Sequence, residues 1–131
     1  MISNVAVSMT PEVEEKPNGK RTNVRGRLQG LGASAGVAEG PCRVISRVED
    51  LRTVKQDEIL VFRTASPEIV PFMGRLAAIV TEVGGRLATA PNYARKLGVP
   101  CVTAVRGAME AIHDGQVIRV DGSRGTVHLI S

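Results

Sequence analysis

The sequence predicts a mixed β/α domain that holds both parallel and antiparallel strands. Three observations carry that expectation. Short apolar runs, ILVF at 59–62 and AAIV at 77–80, stand between polar turns and read as buried strands. Helix signals alternate with these runs, which calls for crossover connections and parallel pairing. Towards the C-terminus the runs are instead bounded by Asp114-Gly115 and Asp121-Gly122, and Asp-Gly between apolar runs signals a hairpin.

Residues 1–24 mix charges with Pro11, Pro17 and Gly19 and sustain no period. They are expected to form a partly mobile arm, with at most a short helical turn over 11–16. The domain is expected over 25–131. A strand can start at 24–28. The small residues of 30–36 (GLGASAG) predict a loop or bulge, and 40–45 (GPCRVI) a strand entered through a turn. A short turn or helix follows at 48–51, then the strand 59–62. Ser66-Pro67-Glu68 reads as a helix start, with Ser66 as N-cap and Pro67 in the first turn. Pro71 is expected to interrupt that helix. The strand at 77–80 leads to a helix over 88–97, which Gly98 and Pro100 end. A strand at 101–105, a short helix at 108–112 and strands at 116–120 and 126–130 complete the order.

A chain of 131 residues fits one domain with a modest core. Hydrophobic residues make up 43% but aromatics only 2%, namely Phe62, Phe72 and Tyr93, so the core must be aliphatic. The formal charge is +4 without a Lys/Arg block or a platform for stacking bases, which argues against nucleic acid. Cys42 and Cys101, His113 and His128 show no metal-ligand spacing, and no metal or cofactor is expected. No apolar run approaches the roughly 20 residues of a membrane span, and there is no signal-type segment. The two separated cysteines read as reduced, buried thiols in a cytoplasmic protein. Tyr93 is expected to pack in the core, and His113 and His128 to serve surface or packing roles.

Residues 81–102, TEVGGRLATAPNYARKLGVPCV, run from a strand through a double glycine into a helix. Gly84 and Gly85 let backbone N–H groups turn towards a common point, and the positive end of the helix starting near Ala88 faces the same way. Thr89 can cap that helix, and Arg86 and Arg95 add positive charge. Two readings stay open: a tight turn only, or a cradle for an anion such as phosphate or carboxylate.

Five segments match one family in order: GLGASAGVAEGPCRVI (30–45), DEILVFRTASPEIVPFM (57–73), AAIVTEVGG (77–85), ARKLGVPCV (94–102) and DGQVIRVDGSRGTVHLI (114–130). From Leu31 to Ile130 the chain resembles the swivelling phosphohistidine domain of phosphoenolpyruvate-utilising enzymes. These include phosphoenolpyruvate synthase, pyruvate phosphate dikinase and enzyme I of the sugar phosphotransferase system. The resemblance implies a three-layer β/β/α fold. It also implies a histidine, in Ser-His-Ala two residues after the double glycine, that takes a phosphoryl group from ATP or phosphoenolpyruvate and carries it to a second site. Here the corresponding residues are Ala88-Thr89-Ala90, so Thr89 stands where the resemblance places the acceptor.

A threonine cannot replace that histidine in a shuttle. Phosphohistidine is a labile phosphoramidate, whereas phosphothreonine is a stable ester and a poor donor. The hydroxyl also needs a base to become a nucleophile, and none lies nearby in sequence. The expected function is therefore a degenerate swivelling domain, a docking, regulatory or anion-binding subunit. The alternative is a working mobile subunit of a split ATP- or phosphoenolpyruvate-dependent phosphotransferase. Either way the resemblance implies a protein partner with an ATP-grasp or phosphoenolpyruvate/pyruvate-binding domain.

Overall fold

Parallel strands must be covered on both faces, and the fold is arranged around that need. The computed structural model describes residues 26–131 throughout, together with the backbone of three N-terminal strands, β1 (Val7–Ser8), β2 (Glu12–Glu15) and β3 (Arg21–Val24). The strands that follow are β4 (Gly26–Gln29), β5 (Leu31–Ser34), β6 (Val37–Ile45), β7 (Ile59–Thr64), β8 (Ala78–Val83), β9 (Cys101–Thr103), β10 (Val117–Asp121) and β11 (Thr126–Leu129). Two α-helices, α1 (Thr89–Leu97) and α2 (Ala108–Ala111), and 3-10 helices at Val48–Thr53 and Pro67–Arg75 complete the order.

The nine-stranded sheet runs β1-β4-β11-β10-β6-β7-β8-β9-β5. Residues 37–41 of β6 pair antiparallel with β10, and residues 42–45 pair parallel with β7. One long strand thus joins an antiparallel half to a parallel half. In β7, Ile59 and Val61 face one apolar cluster while Leu60 and Phe62 face the other. β8 divides in the same way, with Ala78 and Val80 opposite Ile79. The first cluster is shared with Leu28, Ile118, Val120, Val127 and Leu129 of the antiparallel half. The second is shared with Leu51, Ile69, Met73, Ala90 and Ala94 of the helical segments. The layers are therefore sheet, sheet and helix, and every strand-centre residue from Ile59 to Val61 is fully buried. That explains why these runs are continuously apolar rather than alternating.

Several elements depart from the sequence expectation. Of the loop or bulge expected over 30–36, the loop is not found at 31–34: these residues form edge strand β5, antiparallel to β9, and the bulge-like register shift falls between Gly32 and Ser34. The expected helical turn over 11–16 falls on strand β2, which pairs with β3 in a separate two-stranded sheet. The expected mobility of the arm lies outside the described residues. Pro71 does not interrupt its helix. The 3-10 segment continues to Arg75, because i→i+3 bonding tolerates the missing N–H at that phase. Ser66 holds the N-cap position without a side-chain cap bond and instead receives the Thr64 hydroxyl at 2.9 Å. Of the two Asp-Gly pairs only Asp121-Gly122 closes a hairpin, between β10 and β11. Asp114-Gly115 turns the chain from α2 into β10, and Asp114 Oδ1 accepts the Val44 N–H at 2.8 Å.

The hairpin turn also fastens the two halves. Gly122 N–H donates to Gly36 O and Gly30 N–H to Gly125 O, both at 2.8 Å. A methyl on Gly122 would overlap the Ser34 carbonyl, so backbone packs directly on backbone where β5 leaves the antiparallel half. Both cysteines are free and buried. Burial, helped by the Asp114 charge, pushes the Cys42 thiol up to about 11. Burial pushes Cys101 up to about 12, although the Arg95 charge pulls the other way.

Gly122→Ala is expected to lower stability by roughly 2–4 kcal/mol, read as a lower urea midpoint. Stability should also fall on the alkaline side. Each thiol stays neutral in the folded chain but ionises in the unfolded chain near its ordinary value of 9.0. Stability is thus fully present below pH 9 and drains away as pH rises towards the folded values of about 11 and about 12. A Cys42→Ala/Cys101→Ala variant should show a shallower alkaline decline in urea midpoint; an unchanged slope would contradict the assignment.

Candidate functional site

The loop 84–88 lies at the C-terminal ends of the parallel strands, where open α/β sheets place their ligands. It is fixed from both sides by Ala65, the residue after β7. Ala65 N–H donates to Val83 O at 3.1 Å, and Ala65 O accepts the Ala90 N–H at 3.4 Å. Gly84 makes this approach feasible. It sits at φ 126°, and a Cβ there would lie 2.6 Å from the Ala65 Cβ. α1 then packs Ala90, Pro91 and Ala94 against the sheet, and Gly98 ends it in the left-handed conformation.

Thr89 is the first residue of α1 and is exposed. It does not cap the helix. Ala88 is the N-cap, with extended backbone and, having only a methyl side chain, no side-chain cap bond. The first-turn amides are mostly used. Ala88 N–H donates to Gly85 O at 3.2 Å, Ala90 N–H donates to Ala65 O, and Pro91 has no N–H. Among the described residues, the Thr89 N–H is the one first-turn amide left without an acceptor. Gly85 has no positive φ and open space around its α-carbon.

The two arginines are placed differently. Arg95 Nη1 donates to Ala33 O at 2.7 Å and to Arg86 O at 2.9 Å, so its guanidinium ties α1 to β5 and to the loop. Arg86 is exposed beside Gly85. Gly84, Gly85, Arg86, Ala88, Thr89 and Arg95 are therefore neighbours along one loop and helix start, with Arg95 as the clip. Tyr93 is not in the core: it is 41% exposed, with Lys96 Nζ 5.1 Å from its ring centroid. It falls beside the Ala90–Ala94 face, where small residues let the helix lie close to the sheet.

Among the described residues no side chain holds the Thr89 hydroxyl as a base would. The first turn of α1 contains no acidic residue. His128 lies in β11, opposite Arg27 of β4, and is buried. His113 is exposed in the loop docked on β6, where its carbonyl accepts from Cys42 Sγ at 3.3 Å. Neither belongs to an element that forms the loop. Sequence reasoning missed Ala65, the residue that takes the second amide of α1. Its signal was slight: a small residue between Thr64 and the Ser66-Pro67 helix start. Among the described residues no group of three His, Cys, Asp or Glu is placed to hold a metal. No helix among them is long and apolar enough to cross a membrane.

The two glycines should therefore respond unequally. Gly84→Ala is expected to cost roughly 2 kcal/mol or more, and Gly85→Ala to stay within about 0.5 kcal/mol, by urea unfolding. Equal effects would show that the contact with Ala65 is not what fixes the loop.

The family described as PEP-utilising enzyme, mobile domain matches residues 54–125, which contain the loop and α1. Among curated relatives, the chain is 43% identical over 101 residues to a phosphoenolpyruvate synthase of Pyrococcus furiosus, covering 77% of this chain and 12% of that protein. It is 41% identical over 117 residues to a probable phosphoenolpyruvate synthase of Archaeoglobus fulgidus, covering 89% and 15%. The chain thus spans well under a fifth of the length of these relatives. The solution structure of an Enzyme I protein superposes with a TM-score of 0.54 at 23% identity, over 61% of this chain and 33% of that one, a likeness of fold. Matched family, relatives and layered sheet agree: the chain belongs to the PEP-utilising enzyme mobile domain family.

Proposed function

We propose that this chain is a degenerate mobile domain of a phosphoenolpyruvate-synthase-like system, one that docks and regulates rather than carries phosphoryl groups. One observation supports the reading: an exposed threonine, Thr89, occupies the start of α1, and among the described residues no base is hydrogen-bonded to it. An unactivated alcohol is a weak nucleophile, and its phosphate ester would be a poor donor. Docking is favoured over anion capture at Gly84, Gly85, Arg86, Ala88 and Arg95. Two of the four first-turn amides are spent on carbonyls, one is absent, and Arg95 is held by two carbonyls. The partner on this reading carries an ATP-grasp or phosphoenolpyruvate/pyruvate-binding domain, as the multidomain relatives suggest, and both proteins work in the cytoplasm. The two buried free thiols, Cys42 and Cys101, support a reducing compartment.

Intact mass after incubation with ATP or phosphoenolpyruvate, in the presence of the Pyrococcus furiosus synthase, tests the reading. The chain should gain no acid-labile phosphoryl group. Thr89→His should keep its stability within about 0.5 kcal/mol, since the position is exposed, and should acquire an acid-labile adduct. Transfer of phosphoryl through the unaltered chain to a second acceptor, at turnover rates, would overturn the proposal.

A further inference from the structure

The net charge of this protein comes from one continuous stretch. The chain has 17 Lys and Arg against 13 Asp and Glu. Residues 83–109 contain four of the cations, Arg86, Arg95, Lys96 and Arg106, and no carboxylate. Elsewhere 13 cations therefore face 13 carboxylates. This stretch holds the loop, α1, β9 and the turn after it: Arg86 and Arg106 lie where the parallel strands finish, and Arg95 and Lys96 in the last turn of α1. Glu82 and Glu110 bound it in sequence, and Glu68 belongs to the 3-10 helix Pro67–Arg75. Glu82 accepts the Met109 N–H at 3.3 Å, and the Ser66 hydroxyl holds Glu68 below the usual carboxylate range.

The same region exposes apolar side chains. Leu87, at the tip of the loop, is 92% exposed, Leu97 58% and Val83 50%. Thr89, Tyr93 and Leu97 recur at intervals of four, so they share one exposed helix face that adjoins the buried face of Ala90 and Ala94. Lys96 covers one side of the Tyr93 ring. A leucine with almost its whole surface in water is stabilised when a partner buries it.

We propose that Leu87, Tyr93 and Leu97, flanked by Arg86 and Lys96, form a docking surface for a protein partner that offers an apolar groove bordered by Asp and Glu. The proposal rests on the docking role above and adds the chemistry of what is docked. Charge complementarity selects the partner's sign, and Leu87 supplies the anchor. Four dispersed cations and a single tyrosine make a poor platform for a nucleic acid. A nine-residue helix with two exposed apolar residues is a small insertion face for a lipid surface.

The test is an NMR titration of the isotope-labelled full chain. One probe is a helical peptide with leucines at i, i+4 and i+7 and glutamates on the flanks; the other carries lysines in place of the glutamates. Shifts should gather on residues 83–97 with the glutamate peptide and be weak with the lysine peptide. Leu87→Ser should weaken binding about tenfold, and Arg86→Glu/Lys96→Glu by a similar factor, both with folded spectra. Raising salt from about 50 to about 500 mM should weaken the unaltered chain similarly. Absence of shifts, shifts elsewhere, or equal response to both peptides would overturn the proposal. So would tighter binding to phosphatidylserine vesicles, or a dimer of the chain that Leu87→Ser dissolves. None of these outcomes depends on phosphorylation, so the proposal can fail while the degenerate-carrier reading stands; an acid-labile adduct would do the reverse.

Discussion

The constraint on which this structure depends is that β7 and β8 are buried on both faces. Their alternating residues feed two apolar clusters at once, and each cluster needs its own cover. Helical segments cover one face. Among the described residues there is no second set of long helices, so the antiparallel strands, with the short helix α2, cover the other. β6 makes that economical by pairing antiparallel in its first half and parallel in its second. Where the chain passes between the halves there is no room for side chains, and backbone meets backbone around Gly122.

Close packing at the strand ends shapes the candidate site. α1 lies near the sheet because Ala90, Pro91 and Ala94 are small. The loop before it can then lean on Ala65, and only Gly84 fits that contact. The same contact uses an amide that could otherwise have met an anion. A rigid presentation of Thr89 and a depleted set of N–H donors are thus two results of one packing decision. Rigid presentation suits a residue shown to a partner, and the exposed Leu87 beside it has the same support.

Family membership fixes the scaffold and leaves the chemistry to individual side chains. A mobile carrier needs a group that can both accept and release phosphoryl. An alcohol held at an exposed helix start, with no base bonded to it, supplies neither half of that cycle well. What the surface does offer is an apolar tip, a short exposed helix face and a run from 83 to 109 with four cations and no carboxylate. Those features suit recognition.

The sequence by itself determined the central strands, the stop of α1 at Gly98 and the β10–β11 hairpin. Each is set locally, by an apolar run, by a glycine at the end of a periodic segment, or by Asp121-Gly122. Only the tertiary structure decided that 31–34 is an edge strand, since its small residues become a strand by pairing with β9 some 70 positions away. It also decided that the 3-10 helix passes through Pro71, that Tyr93 faces solvent, and that Ala65 takes an α1 amide. These outcomes depend on which surfaces meet in space, and a hydrogen-bond donor's fate is settled by the nearest acceptor rather than by its neighbours in the chain.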